Sequence, residues 1–159
     1  MQIEHPEEIR VVQPSDKIII EQIAKGYFRE WGTPIEETVH RLSNPRDVGL
    51  YFQLCIMKGS RLLATAGIAK EVRLVNLKPE YKKYGPWLAL FYTFDNYRNQ
   101  GYGTKLLKEI EHRAIQYNLG EIYLCTHTAE TLYIRNGWQS IERIRYKNRA
   151  AVIMSKNLK

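Results

Sequence analysis

The chain has 159 residues, 44% of them hydrophobic and 26% charged, with a net charge of +7. That length suits one domain around one sizeable core, and no apolar run reaches the roughly 18–20 residues of a membrane span. The charge would attract polyanions, yet lysines and arginines are spread from Arg10 to Lys159 without a dense block, so no continuous nucleic-acid stripe is visible.

The opening MQIEHPEEIR lacks the basic head, apolar middle and small-residue cleavage site of a secretory signal, so a cytoplasmic protein is expected. Glu8–Val12 has the look of a strand. Pro14-Ser15-Asp16 then opens a helix carrying Ile19, Ile23, Tyr27 and Trp31 at near-helical spacing. Thr33-Pro34-Ile35-Glu36 has the form of a capping box with proline in the first turn, which predicts a second helix from Pro34 to Leu42.

From Gly49 the texture changes. LYFQLCIM and LLATAGIA are apolar runs joined by Lys58-Gly59-Ser60-Arg61, the spacing and turn chemistry of a hairpin. Residues 71–86 are mixed and basic, with prolines at 79 and 86, and read as a loop over a site. Trp87–Phe94 (WLALFYTF) has the length of a buried strand.

Next comes YRNQGYGTKLL, Tyr97–Leu107, followed by a helical stripe of Leu106, Leu107, Ile110, Ala114 and Tyr117 that Asn118–Gly120 ends. Glu121–Thr126 is a strand, Ala129–Asn136 a short helix stopped by Gly137, and two closing strands flank Lys147-Asn148. The order βααβββαβαββ, without repeats or linkers, predicts a single domain over 1–159: mixed α/β, with helices packed on a mostly antiparallel sheet. Cys55 and Cys125 lie far apart without CxxC spacing or a histidine pair, so they read as buried free thiols and no metal site is expected.

The chemistry concentrates at Arg98-Asn99-Gln100-Gly101-Tyr102-Gly103-Thr104, between a buried strand and a helix start. Free backbone N–H groups and the positive end of a helix dipole converge at such a place, and two glycines let an anion approach the backbone. The Rossmann and Walker glycine patterns are both absent. On spacing alone the segment is equally a strand-to-helix turn that needed glycine.

RNQGYG matches the (Q/R)xxGx(G/A) motif of the GCN5-related N-acetyltransferase (GNAT) superfamily, and FYTFDNY stands where that family has its central strand and β-bulge. Downstream, Thr126, Ala129, Leu132, Tyr133 and the Gly137-Trp138 pair resemble the family's second signature. The EWG, PWLA and VIMSKNL segments also look like small bacterial members. The resemblance implies a sheet of six to seven strands splayed between strands 4 and 5, with about four helices, and an acetyl-CoA-dependent transfer to an amine by direct attack. The acceptor would be a small-molecule or peptide amine, a protein N-terminus included. The protein would act as a monomer or homodimer without membrane, metal or nucleic-acid partners. A non-catalytic acyl-CoA sensor is the alternative.

By position, the resemblance assigns Phe91, Tyr92 and Thr93 to the pantetheine arm and thioester. It assigns Arg98, Asn99, Gln100, Gly101, Tyr102, Gly103 and Thr104 to the pyrophosphate, with Thr126 nearby. Tyr133 would face the departing sulfur as general acid or thiolate stabiliser. His127 has the intrinsic pKa of a base that could relieve a protonated amine, with Glu71 and Asp95 as carboxylate candidates. Thr126 and Asp95 stand where many members have Asn and Pro. Trp31, Trp87 and Trp138 line either an acceptor cavity or the core.

Overall fold

The computed structural model describes residues 5–159; the single domain expected over 1–159 begins in residues 1–4, outside the described ones. Seven strands and five α-helices follow one another as β1 Glu7–Val11, α1 Lys17–Trp31, α2 Ile35–Ser43, β2 Leu50–Lys58, β3 Arg61–Ala69, α3 Arg73–Leu77, β4 Trp87–Thr93, α4 Tyr102–Gln116, β5 Glu121–Thr126, α5 Glu130–Arg135, β6 Gln139–Tyr146 and β7 Arg149–Asn157. The strands form one sheet in the order β1-β2-β3-β4-β5-β7-β6. The pairs β1·β2, β5·β7 and β6·β7 are antiparallel, whereas β4 meets β5 in parallel, at Trp87 opposite Tyr123.

The chain divides into two compact units, one running to Ile68 and including Leu90–Ile110, the other made of Ala69–Ala89 and Glu111–Lys159. Strand β4 is thus shared, its first three residues going with the second unit. In the first unit, Ile20, Ile23 and Ala24 of α1, Leu54 and Ile56 of β2, Leu63 and Ile68 of β3, and Leu106 and Leu107 of α4 are all buried. The helical spacing of three to four brings the α1 residues to one face, whereas β2 and β3 are buried nearly throughout, as their continuous apolar runs require.

Within that apolar unit runs one buried polar chain. Thr65 donates to the Leu54 carbonyl at 2.7 Å, the Gln53 amide donates to Thr65 Oγ1 at 2.8 Å and to the Tyr27 hydroxyl at 3.1 Å, and Tyr27 donates to the Leu90 carbonyl at 2.6 Å. Gly67 makes room for it: a Cβ there would fall 2.3 Å from Gln53 Oε1. The far end of the chain holds Leu90 at φ 55°, inside β4. A positive φ costs a branched residue about 1–3 kcal/mol and persists only where its surroundings impose it.

Tyr27→Phe removes the donor to Leu90 and leaves that carbonyl, and one N–H of the buried Gln53 amide, without its match. The expected loss is about 2–4 kcal/mol, read as a melting temperature lower by roughly 5–10 °C in a thermal scan.

In the second unit, Leu74, Val75, Tyr81, Trp87 and Ile153 form the centre of a cluster, with Tyr84, Tyr123, Cys125, Ile144 and Tyr146 packed against it. The expected loop over 71–86 is therefore partly helical, with α3 and a 3-10 turn at Pro79–Lys83. Their apolar residues tie them to the sheet, a tertiary effect that short helical pieces do not announce by periodicity.

Three smaller expectations change. The predicted capping box does not form: Pro34 itself stands before α2 in extended geometry, with no side-chain cap, and its carbonyl accepts from Glu37. Tyr117 lies beyond α4 and is 48% exposed. Trp87 and Trp138 are buried, whereas Trp31 is half exposed.

Candidate active site

The expected site residues fall into two groups, one in each unit. In the first unit the end of β4 turns through Asp95–Tyr97 into the loop that opens α4. Alternation sends Phe91 and Thr93 to the α4 side, where a Cβ built on Gly103 would meet the Phe91 ring at 3.5 Å and Thr93 Oγ1 at 4.0 Å. Tyr92 points the other way, its ring edge-on to Tyr27, Trp31 and Phe94. Its hydroxyl is buried without a partner among the described residues. Only the Tyr92 backbone is thus available on the α4 side.

Arg98 does not point into the loop's mouth. Its Nε donates to the Thr93 carbonyl at 2.8 Å, its guanidinium pairs with Asp95 at 3.1 Å and Glu30 at 3.4 Å, and it lies over the Tyr92 ring. The side chain braces the turn from β4 rather than offering its charge to a ligand, and Asp95 is consumed in the brace. Gln100 closes the loop through the Asn96 carbonyl at 3.1 Å.

The backbone itself is shaped for an anion. Asn99 and Gly101 adopt φ 62° and 86°, alternating with ordinary conformations as in an amide nest. Lys105 is the first amide of α4 to find a backbone acceptor, at Gly101; the amides of Asn99 to Thr104 have none among the described residues. These are the orphan donors of a helix start, where the macrodipole also favours negative charge. Tyr102 and Lys105 turn to Glu7, whose carboxyl their hydrogen bonds hold below its ordinary range.

In the second unit, Thr126 ends β5 and its Oγ1 accepts the Ala129 amide at 3.0 Å, shaping the turn into α5. Its hydroxyl proton remains available to donate. His127 sits against the Ala150 carbonyl with Nδ1 at 3.1 Å and stacks on Tyr146 at 5.9 Å with the rings 5° apart. A carbonyl only accepts, so this contact assigns the proton of neutral His127 to Nδ1 and leaves Nε2 with its lone pair free.

Tyr133 projects from α5 and is 7% exposed, its ring edge-on to Trp138. Its hydroxyl makes no hydrogen bond among the described residues, and burial pushes its pKa up to about 12. Cys55 and Cys125 are free, and burial raises both thiols to about 11, the opposite of an activated nucleophile. Glu71 is exposed. Among the described residues no group of three or more His, Cys, Asp or Glu could hold a metal ion, and no helix is long and apolar enough to cross a membrane.

The sequence profile of the acetyltransferase (GNAT) family matches residues 18–137. The chain belongs to this family. Solved structures agree in fold with this GNAT protein: an aminoglycoside 6'-N-acetyltransferase complexed with coenzyme A, at 13% identity and TM-score 0.74 over 96% of this chain and 97% of that one. The aminoglycoside 6'-N-acetyltransferase from Enterococcus faecium gives 14% and 0.73, over 96% and 97%. The ribosomal-protein-S18-alanine N-acetyltransferase from Escherichia coli gives 13% and 0.70, over 96% and 94%. No curated protein sequence matches the chain. At such identities the structural likeness speaks for the fold alone.

Sequence reasoning on this GNAT chain missed the residues that hold the others. Tyr27 fixes Leu90 from 63 positions away and is itself held by Gln53 from 26 positions away, and no local pattern links them. Tyr146 and the Ala150 carbonyl orient His127 from the closing hairpin; the register that pairs Tyr146 with Arg149, leaving Ala150 beyond the β5 end, was the one available signal.

Proposed function

We infer that residues 1–159 act as one acetyl-CoA-dependent N-acetyltransferase domain, transferring acetyl to a primary amine by direct attack in a ternary complex. The observation that carries this reading is the run of amides from Asn99 to Thr104 at the start of α4 that find no backbone acceptor among the described residues, in a chain whose family match spans both compact units. A glycine-lined, amide-rich cradle fits a pyrophosphate, and one of the similar structures has coenzyme A bound.

Acetyl-CoA supplies an acyl group already activated as a thioester. The protein's share is to bind, orient and manage protons. The amides of Asn99–Thr104 hold the pyrophosphate, braced by Arg98 and Gln100. The backbone of Phe91–Thr93, past the kink at Leu90, offers its polar groups to the pantetheine arm and the thioester carbonyl, and Thr126 keeps a hydroxyl proton to donate to the cofactor.

His127 Nε2 takes the proton from the acceptor ammonium. The freed amine lone pair would form the C–N bond as the C–S bond breaks with its electron pair leaving on sulfur, and the second amine proton would pass to that sulfur or to water, leaving a neutral amide and free thiol. Tyr133 donates a hydrogen bond to that thiolate. Two free thiols support a reducing, cytoplasmic setting for the enzyme.

Incubation with acetyl-CoA and a panel of amines, following free thiol, tests the reading. Amine-dependent thiol release is expected. CoA binding without thiol release for every amine would leave a sensor instead, and absence of CoA binding would remove the cradle assignment.

A further inference from the structure

The net charge of the chain lies in one of its two units. The unit that includes Leu90–Ile110 has eleven Lys or Arg and eleven Asp or Glu, whereas the unit built of Ala69–Ala89 and Glu111–Lys159 has thirteen against six. Within the second unit the excess is local. Residues 70–83 and 142–149, the β3–β4 connection and the β6–β7 hairpin, hold nine Lys or Arg against three Glu.

These two segments share one face of the sheet. Leu74, Val75 and Tyr81 of the connection pack with Ile144 and Tyr146 of β6, and Lys78 Nζ donates to the Arg145 carbonyl at 2.6 Å. Cross-strand partners point to the same face, so the register Tyr146 to Arg149 puts Arg149 beside Tyr146. Arg73 acts electrostatically on the same phenol. Tyr146 is the ring on which His127 stacks, so the cations beside Tyr146 adjoin the His127–Tyr146 pair.

Arg143 is paired with Glu130 at 2.9 Å, whereas the contacts of Lys78, Arg145, Lys83 and Lys147 leave their charges uncancelled. Lys78 and Arg145 donate to carbonyl oxygens, and Lys83 and Lys147 lie over the rings of Tyr84 and Tyr146 at 5.2 and 5.4 Å. Of the three acids, Glu142 accepts from the Tyr84 hydroxyl, and Glu71 and Glu80 are exposed. Lys147 and Arg149 are themselves exposed. An acceptor whose amine reaches His127 therefore enters a positive field.

We propose that the acceptor is a peptide amine followed by acidic residues, selected by the basic rim of Lys147 and Arg149 beside the His127–Tyr146 pair. This rests on the N-acetyltransferase reading. Polycationic amines are disfavoured by the same field. Nucleic acid shares the attraction, but its exocyclic amines are poor nucleophiles and the rim is interrupted by Glu71, Glu80 and Glu142, so an acidic peptide fits better.

The test uses the full chain and two fluorescent-labelled peptides with the same free N-terminal residue, one followed by three acids and one by three lysines, alongside an aminoglycoside. At low ionic strength the acidic peptide should bind about tenfold more tightly and give the higher kcat/KM, and the gap should narrow as salt shortens the range of the field. K147E/R149E should erase or invert the preference while leaving CoA affinity and melting temperature unchanged. Equal or stronger binding of the lysine peptide or the aminoglycoside overturns the proposal, as does a preference that survives K147E/R149E. Tight binding of a 20-mer RNA that is lost in K147E/R149E, with no discrimination between the peptides, overturns it in favour of nucleic acid. Acidic preference in binding with no thiol release from any amine upholds the rim and sinks the enzyme reading instead.

Discussion

Gly103→Ala raises the melting temperature by a few degrees and weakens CoA binding at least tenfold. The two effects have opposite signs because they act on different things. Gly103 lies in the first turn of α4 at an ordinary backbone conformation, and a Cβ there meets only the Phe91 ring and Thr93 Oγ1, at 3.5 Å and beyond. The protein therefore has room for the methyl, and alanine gains up to about 1 kcal/mol of helix propensity over glycine. In a chain of this length that is worth roughly 2–4 °C.

An anion seated on the amides of Gly103 and Thr104 has to approach through the volume that methyl fills. Losing one charge-assisted hydrogen bond costs about 1.5–3 kcal/mol, a tenfold effect or more. Gly101→Ala separates the cases. At φ 86° with nothing within 4 Å, its cost is backbone strain, so it lowers stability and CoA affinity together. Calorimetric titration with CoA and thermal scans of the two variants read both quantities. Unchanged CoA affinity in Gly103→Ala would mean that the loop is only a turn.

The parts of the fold visible beforehand are those written in local pattern. The hairpin at Lys58–Arg61 is legible in its turn chemistry, the strand over Trp87–Phe94 in the length of its apolar run, and the α4 stripe in its period. Arg98–Thr104 was readable as a motif, but the direction of its arginine was not. A guanidinium near a glycine loop suggests a ligand contact, and its actual partners, Thr93, Asp95 and Glu30, include one that lies 68 positions away.

Long-range hydrogen bonds explain the other gaps. Leu90 is an ordinary strand residue by type, and its positive φ goes with a carbonyl held by Tyr27, whose hydroxyl Gln53 fixes in turn from inside the core. The short helix α3 is recognisable only from the sheet it covers. At Thr33–Glu36 the capping pattern was present and the cap was not, since Pro34 occupies the position a capping side chain needed. The basic rim was visible as charge but not as a face, because residues 70–83 and 142–149 meet only through folding.

Tyr133→Phe lowers kcat by ten- to a hundredfold and leaves CoA affinity within about twofold of the original. The ring stays packed edge-on against Trp138 in the variant, so the fold loses one hydroxyl that has no partner among the described residues. The rate loss identifies what that hydroxyl contributes. Burial holds its proton up to about 12, whereas a thiol loses its own near 8.5. Handing the proton over completely is uphill by roughly 5 kcal/mol, too much to be the useful step.

A hydrogen bond that strengthens as charge gathers on sulfur costs no such transfer and supplies about 1.5–3 kcal/mol. Two consequences separate stabilisation from general-acid catalysis. Below pH 10 the original protein and Tyr133→Phe should show pH–rate profiles of the same shape and different height, because Tyr133 stays protonated throughout that range. An acyl donor whose leaving thiol is more acidic than CoA should also narrow the gap between them, since a thiolate that carries its charge more easily gains less from the hydroxyl. A downward limb that begins near pH 8 in the original protein and vanishes in Tyr133→Phe would instead give the tyrosine a pKa far below the one burial imposes, and with it the role of proton donor.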